Sequence, residues 1–467
     1  MVCFDAGGPS MHTRSRIVLV AAAGIAFGLA FAHGGEEPPG PFAPSRITTS
    51  TGEPLEADWG YSSQDCAECH PRQHAEWKGS IHNQAHHDAL YLAFAEMARK
   101  EDPSLYRFCS GCHAPAAVAS GEIPGRKDRE KTFHTDEGVS CVVCHSVEGM
   151  KVSHAGGGEN GSVVLGSGDT MFGPIADSAK TTAHQSAHSA LHSKSEFCSN
   201  CHTLTHPVNG LVIENTFEEW KKGPYAAAGV QCQDCHMRTV EQAIQVADTM
   251  KPVEVPGPTT NAKETRPNVH AHTFVGASVN QAANGTSAFH AAEAEKRLKS
   301  AATVALTLPA KAAPGAKVAV EVAVTNRGAG HAIPTSITEL RQVWIDLAVK
   351  DATGREVWRS GAIDHAGRVD PKAVMYHSVL GDEKGDVTYL PWRAAKILHE
   401  KLIPPKATVR EPYDVAIPAD AKAPFAVTAT LRYRSAPQDK LDALFGKGRF
   451  DIRAVDMASA AGSIAGE

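Results

Sequence analysis

Cys66-Ala67-Glu68-Cys69-His70 is the first of five pentapeptides of one form. The others are Cys109-Ser110-Gly111-Cys112-His113, Cys141-Val142-Val143-Cys144-His145, Cys198-Ser199-Asn200-Cys201-His202 and Cys232-Gln233-Asp234-Cys235-His236. The chain has 11 cysteines, and Cys3 alone stands outside these pairs. Two sulfurs two residues apart can reach two vinyl edges of one porphyrin, and a histidine placed next can face its iron. The spacing therefore predicts five covalently bound haem c groups, with the ten paired cysteines as thioether donors. His70, His113, His145, His202 and His236 are the expected proximal iron ligands.

Two other chemistries use paired cysteines. A zinc ribbon takes two such knuckles per metal, and five cannot pair evenly; zinc also has no need of histidine directly after each pair. Disulfides suit an exported chain, but bridges of this short spacing are usually redox-catalytic, and five alike would be unusual.

An electron-transfer haem usually takes a second axial ligand. Of the 24 histidines, eighteen lie between His70 and His290, and thirteen of these fall outside the motifs. His82, His184 and His272 lead the candidates for distal ligands, followed by His154 and His86. His82 follows Trp77 and Ser80, and His86 comes one helical turn later. His184, His188 and His192 recur every four residues and are expected on one helix face, only one of them binding iron. His134, His188, His206 and His331 are held in reserve, with Met150, Met171 and Met237 as weaker alternatives.

The length of 467 residues allows two or three domains. A net charge of -6 gives no basic field for nucleic acid and no polybasic membrane patch. Arg14 and Arg16 precede an apolar run from Ile17 to Phe31, and Ala30-Phe31-Ala32 offers a small-x-small cleavage pattern. Residues 1–32 are thus expected to be a signal peptide, the run being short for a transmembrane anchor; Met11 is a second candidate start. Export to the periplasm, or to the cell surface or beyond, follows. The mature chain is expected to have no transmembrane anchor.

Residues 33–60 read as a Pro/Gly-rich lead-in and 61–280 as the pentahaem cytochrome domain, mainly α-helical and irregular. Within it, helices are expected from about Gln84 to Arg99 with Asn83 as N-cap, and around Thr216 to Lys221; Gly156 to Asp169 reads as a loop. Aromatic content is only 6%, so the haems themselves are expected to supply much of the core. A linker helix follows over 281–300. Residues 301–455 alternate at period two, as in Val318–Val324, Gln342–Val349 and Val427–Tyr433, and predict an antiparallel, Ig-like β-sandwich. A helix around Trp392 to Leu402 is expected to interrupt it. Residues 456–467 read as a disordered tail.

Beyond the first motif, Trp77-x-x-Ser80-x-His82 resembles the opening of multihaem cytochromes of the cytochrome c-554 type. Gly138-Val139-Ser140 before the third motif resembles that group too, as do Ser195-Glu196-Phe197, Glu219-Trp220, Pro224-Tyr225, Gly229-Val230-Gln231 and His272-Thr273-Phe274-Val275-Gly276. The resemblance covers about residues 60–280. It implies closely packed haem pairs with mostly two histidine ligands, His82 and His272 among the distal ones. Gly330-His331-Ala332-Ile333-Pro334-Thr335 resembles the β-rich extension of larger members, where glycine usually follows the threonine; here Ser336 stands. The type cytochrome has four haems, so a fifth site departs from it.

Three functions compete. The first is an electron relay between redox protein partners. The second is a multihaem oxidoreductase in which one open haem acts on nitrite, hydroxylamine or a similar small nitrogen or sulfur compound. The third uses the β region for docking or for assembly into an oligomer. No Rossmann glycines, nucleophile elbow or phosphate loop occur, no catalytic residue stands out, and a non-catalytic carrier is the favoured expectation. His331 is further expected to pack its loop on a haem at the domain interface.

Overall fold

Each attachment pentapeptide sits on a helical turn. The computed structural model describes residues 40–467 except 57, 124–133, 154–155, 179–180 and 262–263. The signal peptide read over 1–32 and the candidate ligand His154 therefore lie outside the described residues. The second motif ends the helix Pro103–His113, and the third forms Cys141–His145. The first, fourth and fifth begin or end on Ser63–Ala67, Ser195–Ser199 and Gln233–His236. In these three the histidine N–H donates to the first cysteine's carbonyl, at 2.8 Å (His70), 3.1 Å (His202) and 2.9 Å (His236). Helical positions i, i+3 and i+4 share one face, so one turn sends both sulfurs and the imidazole to the same side.

Between the motifs the helices are short. Ser62 and Asp65 form a reciprocal capping box at the first. The helix expected from Gln84 begins instead at Ala89 and runs to Glu101, capped by Asp88, whose Oδ1 accepts from the Tyr91 N–H at 2.8 Å. Asn83 is not the cap: its Oδ1 accepts from Gly79 N at 3.0 Å. The backbone before it is held in turns because the His82 carbonyl accepts from Val139 N at 2.9 Å. Thr216–Lys221 and Ala288–Ala301 are helices, close to expectation.

His184, His188 and His192 do not share a helix face. Gln185–His188 is a strand, paired parallel to Thr170–Gly173, and Ala190–Ser193 is a single 3-10 turn. Pairing with Thr170–Gly173 outweighed the helix preference of Gln185, Ala187, Ala190 and Leu191. Within the glycine-rich stretch, Val163–Leu165 is a strand that takes Thr48–Thr49 on one side and Val147–Met150 on the other. Phe42 and Ile47 are buried beside it, so the end of the lead-in is pinned rather than loose.

From Ala302 onward the chain is built of strands. One sheet has the order Ala302–Thr307, Lys317–Asn326, Thr408–Ala416, all antiparallel. The other has eight strands, centred on Gln342–Lys350 and Phe425–Arg434, which pair antiparallel from Gln342–Arg434 to Lys350–Ala426. Inward residues of both sheets, among them Val320, Val322, Val324, Ile345, Leu347, Val415, Val427 and Leu431, form one apolar cluster. Each such side chain contributes about 1.5–3 kcal/mol on burial.

Two expectations fail in this region. Lys396–Lys401 is a strand against Met375–Gly381, with only Pro391–Arg393 as a 3-10 turn where a helix was read. The tail expected to be disordered is the strand Val455–Gly466, paired with Phe425–Arg434. Its small residues hid its period; Val455, Met457 and Ile464 are the ones it buries.

The described residues form one compact unit. Asn280 Nδ2 donates to Ser435 Oγ at 2.8 Å, His206 is 2.9 Å from the Trp392 carbonyl, and Glu101 pairs with Arg393 at 2.6 Å. Among the described residues no helix is long and apolar enough to cross a membrane.

Candidate haem sites

All ten motif cysteines and all five motif histidines line one continuous cavity of about 1450 Å³. Smaller apolar clusters surround it, one around Leu165 and Val142, another around Phe217, Trp220 and Tyr225. None of the ten cysteines is joined to another in a disulfide. Burial pushes Cys109 and Cys235 up to about 11 and Cys144 up to about 12. Among the described residues no three His, Cys, Asp or Glu side chains converge as a metal-ion cluster.

The motifs are neighbours in a definite order. Cys141 lies beside Cys66 and, together with burial, pushes the Cys66 thiol up. Cys112 is raised in the same way by Cys201, and Cys198 by Cys232. The first motif thus lies beside the third, the second beside the fourth, and the fourth beside the fifth.

Four motif histidines are held alike. Nδ1 lies 2.7 Å from the Thr259 carbonyl in His70, 2.8 Å from Ala85 in His113, 2.7 Å from Phe172 in His145 and 2.9 Å from Val275 in His236. A carbonyl only accepts, so Nδ1 carries the proton and Nε2 keeps its lone pair. This is how a metal-binding imidazole is oriented from its second nitrogen. Burial lowers His82, His236 and His272 to about 3, which keeps those three rings neutral.

Two imidazoles sharing one iron, each nitrogen about 2 Å from it, hold their centroids roughly 6 Å apart. His70 and His184 are 6.5 Å apart, His202 and His82 6.3 Å, and His145 and His272 6.3 Å. His192 is also 5.8 Å from His145, but its Nε2 lies 3.0 Å from the Cys144 carbonyl. Nδ1 of His272 and of His82 is buried without a hydrogen-bond partner. The residues present therefore fit haem c at these motifs. His86 is buried with Nε2 3.2 Å from Tyr106 Oη. The ring against His113 is Tyr91, stacked at 3.9 Å and 8°.

Several wall residues carried no local signal. Arg238, almost wholly buried, donates to the Val269 carbonyl at 2.8 Å and to Asn268 Oδ1 at 2.6 Å, fixing the irregular segment that delivers His272. The His272 N–H donates to Glu76 Oε2 at 2.9 Å.

Residues 65–146, which span the first three motifs, match the family described as cytochrome c554 and c-prime. The fold is similar to that of a penta-haem cytochrome c552 from Thermochromatium tepidum, with 21% identity and a TM-score of 0.60, covering 86% of this chain and 99% of that one. A CARDB domain from Pyrococcus furiosus, in complex with two metal ions, is 10% identical with a TM-score of 0.18, covering 36% of this chain and 87% of that one; at that score it carries no argument. No curated protein matches the chain. The resemblance read from the motifs is thus matched over residues 65–146, and the fold sets an antiparallel strand region behind a cytochrome-like one.

Proposed function

We propose that the chain is a periplasmic electron relay carrying five haem c groups, one on each motif, most of them with two histidine ligands. The observation that carries this is the shared treatment of the imidazoles: Nδ1 tied to a carbonyl and a second ring roughly 6 Å away. His184, His82 and His272 are the distal ligands to the irons of His70, His202 and His145. When bound, each haem supplies an iron that takes up or releases one electron. The chain's part is to fix the rings, exclude water and set neighbours in contact. The cysteines set the first motif beside the third and the fourth beside both the second and the fifth, and Cys144 of the third motif adjoins Cys201 of the fourth, which gives one connected line. A redox protein at either end would donate and accept. Residues 1–32 direct export, 61–280 hold the haems, and the sheets after 301 form an Ig-like sandwich that docks onto them.

A second reading gives one haem an open position for nitrite, hydroxylamine or a similar small molecule. It is favoured by one observation: among the described residues no second imidazole stands roughly 6 Å from the His113 ring, as one does for His70, His145 and His202; Tyr91 stacks on its face instead. Oxidised protein titrated with these compounds separates the readings. A spectral change confined to one haem, lost when Cys109 and Cys112 are replaced, supports the open site; no change supports the pure relay.

Intact-mass analysis of protein expressed with a cytochrome c maturation system tests the main reading. The account expects a chain cleaved after Ala32 plus five haems. Replacing both cysteines of any one motif removes one haem. Four or fewer haems on the native chain contradicts it.

A further inference from the structure

His331 stands outside the cytochrome-like region, in the turn after the strand Lys317–Asn326. Its ring nevertheless lines the shared cavity. It lies 6.2 Å from the His236 ring at 15°, the same separation as the three pairs described above. Its Nδ1 lies 2.9 Å from the carbonyl of the next residue, Ala332, so Nε2 keeps its lone pair. His184 has the same local arrangement, with Nδ1 2.9 Å from the Gln185 carbonyl. Two histidines far apart in sequence thus present Nε2 by one backbone device, each opposite a motif histidine.

The turn is anchored to the cytochrome region just after the ring. Glu219 Oε2 accepts from the Ala332 N–H at 3.0 Å and from Thr335 Oγ1 at 2.7 Å. Thr335 Oγ1 also lies 2.8 Å from Thr216 Oγ1, and Ser336 Oγ donates to Glu214 Oε2 at 3.0 Å. From the strand side, Asn326 Nδ2 donates to the His331 carbonyl at 2.8 Å. A solvent-facing turn histidine requires none of these. A ligand does, because its ring must be held against rotation.

We propose that His331 is the sixth ligand of the iron at the fifth motif. The strand region then does more than cover the haems: it completes one of them, and the spin state of that iron reports whether the two regions are in contact. This rests on the reading that the fifth motif carries haem.

The test uses the full-length holoprotein and its His331→Ala variant, with haem content measured by the pyridine haemochrome assay and spin state by electron paramagnetic resonance. The proposal expects five haems in both, with one fifth of the iron turning from low-spin to high-spin in the variant. Added imidazole should restore the low-spin signal, which a purely structural role would not allow. An unchanged low-spin spectrum at full haem content overturns it. Should His331→Ala fail to accumulate, His331→Met serves. A thioether ligand should keep that haem low-spin and raise the midpoint potential of one haem in five; five unchanged potentials overturn the proposal. Failure of the underlying reading looks different: replacing Cys232 and Cys235 would then leave the haem count unaltered.

Discussion

The Phe274 ring lies 4.4 Å from that of His82, centroid to centroid, and its edge meets His272 at 5.8 Å. One aromatic side chain therefore spaces the distal imidazoles proposed for the third and fourth haems. Its backbone has φ of 47°, a left-handed conformation that a bulky residue adopts only when held there. Removing the ring loses packing, while glycine relieves the backbone. Phe274→Ala should destabilise the protein by about 2–3 kcal/mol, and Phe274→Gly by about 1 kcal/mol less. Denaturant titration of the two variants checks the order, which reverses the usual ranking of alanine above glycine.

Ser336, where the resemblance to larger multihaem cytochromes implies glycine, has a φ of 68°. The left-handed turn is kept, and the hydroxyl adds a hydrogen bond to the buried Glu214. Strain and hydrogen bond are each worth about 1 kcal/mol and oppose one another. Ser336→Gly should leave the melting temperature nearly unchanged. Ser336→Ala, which keeps the strain and loses the bond, should lower it by about one degree, as calorimetry would show.

Glu339 is buried with both carboxyl oxygens lacking a hydrogen-bond partner, and burial pushes it up to about 8. Below about pH 4.5 the group is protonated whether the chain is folded or not. As pH rises from there to about 8, the unfolded chain gives up the proton and the folded one keeps it, so stability falls through this window. Glu339→Gln should remove that fall. Near pH 5 the variant and native chains should be alike; at pH 8 the variant should be more stable by a few kcal/mol, on the order set by linkage. Chemical denaturation at both values decides it, and equal slopes against pH would contradict the assignment.

Arg238 holds the segment before His272 through two hydrogen bonds from one guanidinium. Lysine cannot reproduce the fork. Arg238→Lys should cost about 2–4 kcal/mol by leaving a buried carbonyl unpaired. Redox titration should also show the shift concentrated in one haem, with the haem count unchanged.

How far the sequence could be read follows from what each feature depends on. The attachment sites depend on consecutive residues and one helical turn, so five were visible at once. The helix Thr216–Lys221 and the strands Lys317–Asn326 and Gln342–Lys350 carry their own periodicity. The opposing histidines do not. His82 meets His202 and His331 meets His236 only through tertiary approach, and His192 competes with His272 on spacing until its Nε2 is seen at the Cys144 carbonyl. Val455–Gly466 was misread because alanine, serine and glycine fit an inner strand as well as a loose tail. Lys396–Lys401 was misread because its side chains are mostly exposed, and pairing with Met375–Gly381 outweighed local preference.

Electron paramagnetic resonance of the oxidised holoprotein, scaled to a pyridine haemochrome count, tests the central claim most directly. The account predicts five haems per chain, with low-spin signals from at least the four whose motif histidines face a second imidazole: His70, His145, His202 and His236. Fewer than five haems, or high-spin iron exceeding one part in five, would contradict it.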